Sequence, residues 1–186
     1  KDLRSKLKEV ATINRITPST QQKSKDGTIK FLFTLNDEDK DYKVEAVLIP
    51  DFYDDGVAKR LTVCVSSQVG CVFGCSFCAT GKMGFFRNLT HGEVVDQVQY
   101  INQVSEEEYG KKITNIVYMG MGEPLHNYKT VVNSADIITV QYQQTFFVIY
   151  NIKTYYKICH FQIFQQFTWV EYVFINSEKE KRKNLI

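Results

Sequence analysis

Three cysteines fall within eight residues, Cys71-Val72-Phe73-Gly74-Cys75-Ser76-Phe77-Cys78. Thiolates are soft ligands that suit zinc or iron–sulfur clusters. A structural zinc site wants four ligands, usually as separated C-x2-C pairs. The C-x3-C-x2-C run offers three. A [4Fe–4S] cluster ordinarily takes four cysteines, so three leave one iron open to a small molecule. The spacing therefore favours an iron–sulfur cluster on Cys71, Cys75 and Cys78, with a zinc-binding structural module as the alternative. Cys64 could serve as a fourth ligand, but it stands seven residues before Cys71 inside an apolar run, which suits a metal knuckle poorly. With no secretory signal in the sequence, such crowding reads as metal or redox chemistry and not as a disulfide framework.

Two carboxylates are further candidates. Glu123 lies in Gly120-Met121-Gly122-Glu123-Pro124, where glycine permits a close backbone approach. Read alone, it is a solvated loop residue capping the next helix. Glu45 lies in Val44-Glu45-Ala46-Val47-Leu48-Ile49-Pro50. Strand alternation puts it with Val47 and Ile49 on an apolar face, opposite Val44, Ala46 and Leu48. Its bland reading is an outward-facing strand glutamate. His91, His126 and His160 take no role.

The elements that must hold these residues follow from periodicity. Asp2–Val10 reads as a short surface helix. Thr28–Leu35 and Tyr42–Ile49 alternate like strands and form a β-hairpin across the polar Asn36–Asp41. Leu61–Ser66 is a third strand, broken by Gly70. Thr90 and Glu93 are spaced as a capping box, and Val94, Val95, Val98, Ile101 and Val104 share one helical face behind them. Ile113–Met119 is another strand, and Val131–Thr139 begins another helix. From Leu61 onward the order is strand, loop, helix, strand, loop, helix, a βαβ unit with the start of a second. The cysteines and the Gly-Glu-Pro segment both follow strand C-terminal ends, the edge where parallel α/β sheets build active sites.

The chain has 186 residues, with 44% hydrophobic and 24% charged, an ordinary globular composition. Residues 1–140 carry 17 Lys and Arg against 18 Asp and Glu, so the body is not basic and gives no compositional case for nucleic acid. The charge-free run Ile137–Ile152 has 16 residues and three glutamines, too short and polar to span a bilayer. Composition breaks near residue 140. All ten glycines and all three prolines precede Leu125, and no Ala or Asp follows Asp136. The segment 141–186, with Cys159, reads as an aberrant or disordered tail outside the evolved domain. Within it, Thr145–Tyr150 is an uncharged β-prone window.

The C-x3-C-x2-C run with Phe77 before its last cysteine resembles the signature of radical S-adenosylmethionine (SAM) enzymes. Four blocks carry the likeness further: Cys64-Val65-Ser66-Ser67-Gln68-Val69-Gly70-Cys71, Cys75-Ser76-Phe77-Cys78-Ala79-Thr80-Gly81, Arg87-Asn88-Leu89-Thr90, and Tyr118-Met119-Gly120-Met121-Gly122-Glu123-Pro124-Leu125. Over residues 3–139 the chain resembles the RlmN family, radical SAM methyltransferases of adenine C2 in 23S rRNA and tRNA. The resemblance implies that Cys71, Cys75 and Cys78 hold a [4Fe–4S] cluster and that Gly122 and Glu123 bind SAM. It implies that Glu45 accepts the adenine C2 proton. It gives Cys64 the release of product, by a disulfide with a methyl-carrying cysteine absent from this chain, and such a thiol should be accessible and of lowered pKa. It also implies 23S rRNA and tRNA as partners; Lys82, Arg87, Lys111 and Lys112 could touch phosphates but are too few to make a basic patch. The electron donor would be a flavodoxin or ferredoxin. The location would be the cytoplasm, with an organelle left open because Lys1 is no start residue. A sister family that methylates adenine C8 shares the motifs. The expected fold is α/β. A small helix and hairpin element (1–60) precedes an incomplete radical SAM partial (βα) barrel (61–140), and this chain is expected to be an inactive fragment.

Overall fold

The computed structural model describes Leu3, Ser5, Lys6, residues 16–37 and residues 40–142. Leu3, Ser5 and Lys6 are helical. The expectations for Cys159, His160 and the Thr145–Tyr150 window lie outside the described residues.

Among the described residues, seven strands and three helices follow in order: β1 (Ile16–Lys23), β2 (Ile29–Asn36), β3 (Asp41–Phe52), β4 (Ala58–Cys64), β5 (Gln68–Gly70), α1 (Ala79–Lys82), β6 (Phe85–Asn88), α2 (His91–Tyr109), β7 (Asn115–Val117) and α3 (Tyr128–Tyr142). A single 3-10 turn, Pro124–Asn127, leads into α3. The main sheet has the order β1-β2-β3-β4-β7. Its first three pairings are antiparallel, and β4 with β7 is parallel. β5 and β6 form a separate antiparallel ribbon.

Alternation puts one side of each strand in the core. Ile29, Phe31, Phe33 and Leu35 of β2, Val44, Ala46 and Leu48 of β3, and Leu61 and Val63 of β4 are buried on the side that faces α2. Val94, Val98, Ile101 and Val104 of α2 close that layer, the helical stripe that the spacing predicts. Tyr100 meets the edges of Phe31 and Phe33 at centroid distances of 5.9 and 5.5 Å, geometry that favours aromatic pairs. α2 begins where expected: the Thr90 hydroxyl accepts the Glu93 N–H, and the Glu93 carboxylate accepts the Thr90 N–H at 2.8 Å.

Several boundaries differ from the sequence reading. The hairpin loop is four residues long, because Asn36 pairs with Asp41. β1 carries no alternation that could reveal it: only Ile16 is buried, and the rest is an exposed edge with a bulge between Pro18 and Thr20, the usual place for proline in a sheet. β7 shrinks to three residues. The boundary expected between 60 and 61 falls inside β4, and β3 pairs along β4. The hairpin and the βαβ unit therefore share one sheet and one core. Among the described residues this sheet is open, with β1 and β7 at its edges, and no barrel is formed. No helix among them is long and apolar enough to cross a membrane.

Candidate cluster and cofactor site

The cysteine loop is an excursion closed at its neck. β5 leads into Cys71, and β6 leads away from Gly84. The Cys71 N–H donates to the Gly84 carbonyl at 3.0 Å. Gly70, at φ +72°, makes this closure possible, since a Cβ on it would stand 1.9 Å from the Gly84 oxygen. Within the loop the Cys78 N–H donates to the Cys75 carbonyl, and Cys78 then opens α1. The Phe73 N–H points at the Cys71 sulfur, 3.4 Å away.

Cys71, Cys75 and Cys78 are all half-buried. Burial pushes the Cys71 thiol up, the Phe73 N–H offsets this in part, and the charges of Glu123, Cys75 and Cys78 add to the rise. Glu123, Cys75 and Cys78 thus each lie within electrostatic reach of Cys71. Among the described residues no three His, Cys, Asp or Glu side chains surround one point where a single ion could sit. A cubane cluster asks for something else, a separate iron for each thiolate. The donor set fits such a cluster: three soft ligands on one closed loop, whose mutual repulsion positive irons would relieve.

Glu123 stands at the loop that follows β7, the strand parallel to β4. This loop lies directly across the residues that precede the cysteines. The Gly120 N–H donates to the Val65 carbonyl, and the Ser67 N–H to the Met121 carbonyl. The Ser66 hydroxyl accepts the Met121 N–H at 2.8 Å. Gly122 is required here, because a Cβ would be 2.4 Å from that of Gln68. Glu123 is buried, with 8% exposure, and its carboxylate accepts the Leu125 N–H at 3.1 Å. The bland capping role is therefore present, but in a buried setting beside Cys71.

Cys64 and Glu45 share the sheet face that no described helix covers. Cys64 sits opposite Val47 on one side and Val117 on the other, and Glu45 is two residues from Val47 along β3. The apolar setting expected for Glu45 is not what the fold provides. Its side chain is 44% exposed and pairs with Lys30 at 2.6 Å. The lowered thiol expected for Cys64 is also reversed: burial pushes it up, and only the Met119 backbone pulls it back.

The basic residues divide. Arg87 pairs with Glu93 at 2.8 Å and with Asp37 at 2.6 Å, so it holds the fold together rather than standing ready for phosphate. Lys111 donates to the carbonyls of Ala58 and Lys59. Sequence reasoning passed over Gln68, Asn88, Ser66 and Asn127, which stitch the two loops together. The available signal was the polar Ser66-Ser67-Gln68 set between apolar residues.

No family model matches the chain. Curated relatives do. A protein named probable dual-specificity RNA methyltransferase RlmN from Salinibacter ruber is 50% identical over 139 residues, covering 75% of this chain and 37% of that protein. Its namesake from Cytophaga hutchinsonii is 50% identical over 139 residues, 75% of this chain and 36% of that protein. The crystal structure of a radical SAM methyltransferase from Sphaerobacter thermophilus superposes with a TM-score of 0.66 at 46% identity, over 75% of this chain and 38% of that one. The chain spans little more than a third of the length of the curated relatives it matches.

Proposed function

We propose that this chain, which belongs over three quarters of its length to the RlmN family of radical SAM RNA methyltransferases, carries the cluster loop and part of the SAM site of an enzyme that methylates adenine C2 in 23S rRNA and tRNA. One observation carries the reading. Three half-buried cysteines on a closed loop lie beside a buried carboxylate, at the C-terminal edge of the parallel pair β4 and β7. Cys71, Cys75 and Cys78 would hold a [4Fe–4S] cluster. When bound, that group supplies the one-electron chemistry that cleaves SAM, which protein side chains cannot provide.

The remaining steps belong to side chains. Glu123 would accept hydrogen bonds from the SAM ammonium, and the crossing of Gly122 over Gln68 fixes where that carboxylate stands. Glu45, on the open sheet face, would take the proton from adenine C2, exchanging its pairing with Lys30 for that role. Cys64 on the same face would release product. It gives up its thiol proton and bonds to the sulfur of the methyl-carrying cysteine as that sulfur's bond to the transferred carbon breaks. The bonding pair stays with the carbon, which then takes up a proton. Burial pushes its thiol up, against the lowered value that this role calls for. RNA and a flavodoxin or ferredoxin would be the partners. Among the described residues the sheet is open and leaves the reacting face unshielded, so no turnover is expected from them alone.

The test is anaerobic reconstitution with iron and sulfide, followed by analysis. About four irons with acid-labile sulfide per chain are expected, and one zinc in their place would overturn the reading. With reductant, methyl-labelled SAM and protein-free rRNA or tRNA, no label should reach adenine. Label at C2 from this chain alone would refute that expectation, and label at C8 would move it to the sister reaction.

A further inference from the structure

Gln68 is fully buried at the base of the cysteine loop, and its amide is engaged on both sides. Its Oε1 accepts the backbone N–H of Glu123 at 2.9 Å. Its Nε2 donates to Asn88 Oδ1 at 2.8 Å and stands 3.3 Å from His126 Nδ1. A backbone N–H can only donate, so the Glu123 contact fixes which end of the amide is oxygen. The NH2 end then faces both Asn88 and His126, and it too can only donate. His126 Nδ1 must therefore accept, which places the ring proton on Nε2. His126 is packed against Phe85, with centroids 6.1 Å apart.

These partners come from separate segments. Gln68 opens β5, the stem that enters the cysteine loop, and Asn88 closes β6, the stem that leaves it. Glu123 and His126 belong to the loop after β7. One side chain thus joins both stems of the cysteine loop to the carboxylate loop.

We propose that Gln68 is a positioning residue of the SAM site: it sets Glu123 against Cys71 and holds His126 with Nδ1 as the acceptor. The role rests on the reading of Glu123 as a SAM contact. A glutamine that only filled space could be replaced by methionine, which has similar length and volume. Methionine here would remove the acceptor for Glu123 and the donor for His126 together, leaving a buried N–H unsatisfied.

The experiment compares Gln68→Met and Gln68→Glu with the parent chain. Without cofactor, amide hydrogen exchange is followed at Glu123 and Gly120, and ring nitrogen shifts at His126. After reconstitution, iron content is measured, and the electron paramagnetic resonance signal of the reduced cluster is titrated with SAM. In Gln68→Met the Glu123 amide should exchange about tenfold faster, the scale of one lost hydrogen bond, while Gly120 is unchanged. His126 should lose its single tautomer, iron content should stay parental, and half-saturation should need about tenfold more SAM. Gln68→Glu keeps an acceptor, so Glu123 stays protected, but it turns an acceptor toward His126 and should move the ring proton to Nδ1. Parental exchange and tautomer in both variants would overturn the proposal, as would a parental SAM response in Gln68→Met at full iron content. A fully loaded parent that ignores SAM would overturn the Glu123 reading and this role with it. The cofactor-free measurements distinguish that failure from an error in the Gln68 geometry.

Discussion

Gly70→Ala should damage the neck of the cysteine loop more than any neighbouring glycine substitution. The added Cβ would lie 1.9 Å from the Gly84 oxygen and 3.3 Å from a Phe86 ring carbon. Gly84, across the same neck, has a similar φ of +77° but nothing within 4 Å of its missing Cβ. The two variants therefore share one penalty and differ in the other. Left-handed backbone costs a residue with a side chain roughly 1–2 kcal/mol. The stiffer unfolded chain returns about 0.4–1 kcal/mol, so Gly84→Ala should lose about 1 kcal/mol. Gly70→Ala must also push Gly84 away by more than an ångström to reach ordinary contact. That breaks the 3.0 Å bond from Cys71 N–H, and an unsatisfied backbone donor adds about 1–3 kcal/mol. The total is about 2–4 kcal/mol. Urea unfolding of both variants gives the difference, and iron per chain after reconstitution shows whether the loop still presents its thiols. Equal losses in the two variants would refute the argument that close approach dictates glycine at position 70.

Alanine at Cys71, Cys75 or Cys78 should each abolish the brown chromophore of the reconstituted protein, whereas Cys64→Ala and Cys159→Ala keep it; loss in Cys64→Ala would indicate a four-cysteine site. Glu123→Gln removes one of the charges that raise the Cys71 thiol, so the pH profile of Cys71 alkylation should move to lower pH, as read by mass spectrometry. Burial raises the Glu93 carboxyl, but Arg87 and Thr90 outweigh it and leave it below its ordinary value. A lowered folded pKa contributes stability above the unfolded value, near about 4.3, and loses it as pH falls through the folded one. Arg87→Ala should therefore cost about 2–4 kcal/mol at neutral pH and flatten the decline in stability below pH about 5; an unchanged acid-unfolding curve would contradict this. Burial pushes the Tyr118 phenol up to about 12 despite its bond to Ser134. Its ultraviolet titration should be the last transition among the described tyrosines, and Tyr118→Phe should cost about 1 kcal/mol.

The strands β2, β3, β4 and β7, the start of α2 and its helical stripe were legible in the sequence, because each is a local pattern. A strand follows from alternation, a helix start from Thr90 and Glu93, and the cysteine spacing offers three thiols on one loop. β1 escaped because an exposed edge strand held by backbone pairing leaves no apolar period to read. Glu45 misled because alternation tells which residues share a face but not whether that face is covered. Its apolar neighbours Val47 and Ile49 lie on the side that α2 leaves open, where Lys30 arrives from the adjacent strand. The raised thiol of Cys64 could not be read either, since burial depends on β3 and β7 flanking it. The roles of Gln68 and Arg87 depend on partners up to 58 residues away in sequence. Spacing fixes what a residue can donate, accept or ligate, and only the folded chain decides what stands opposite it.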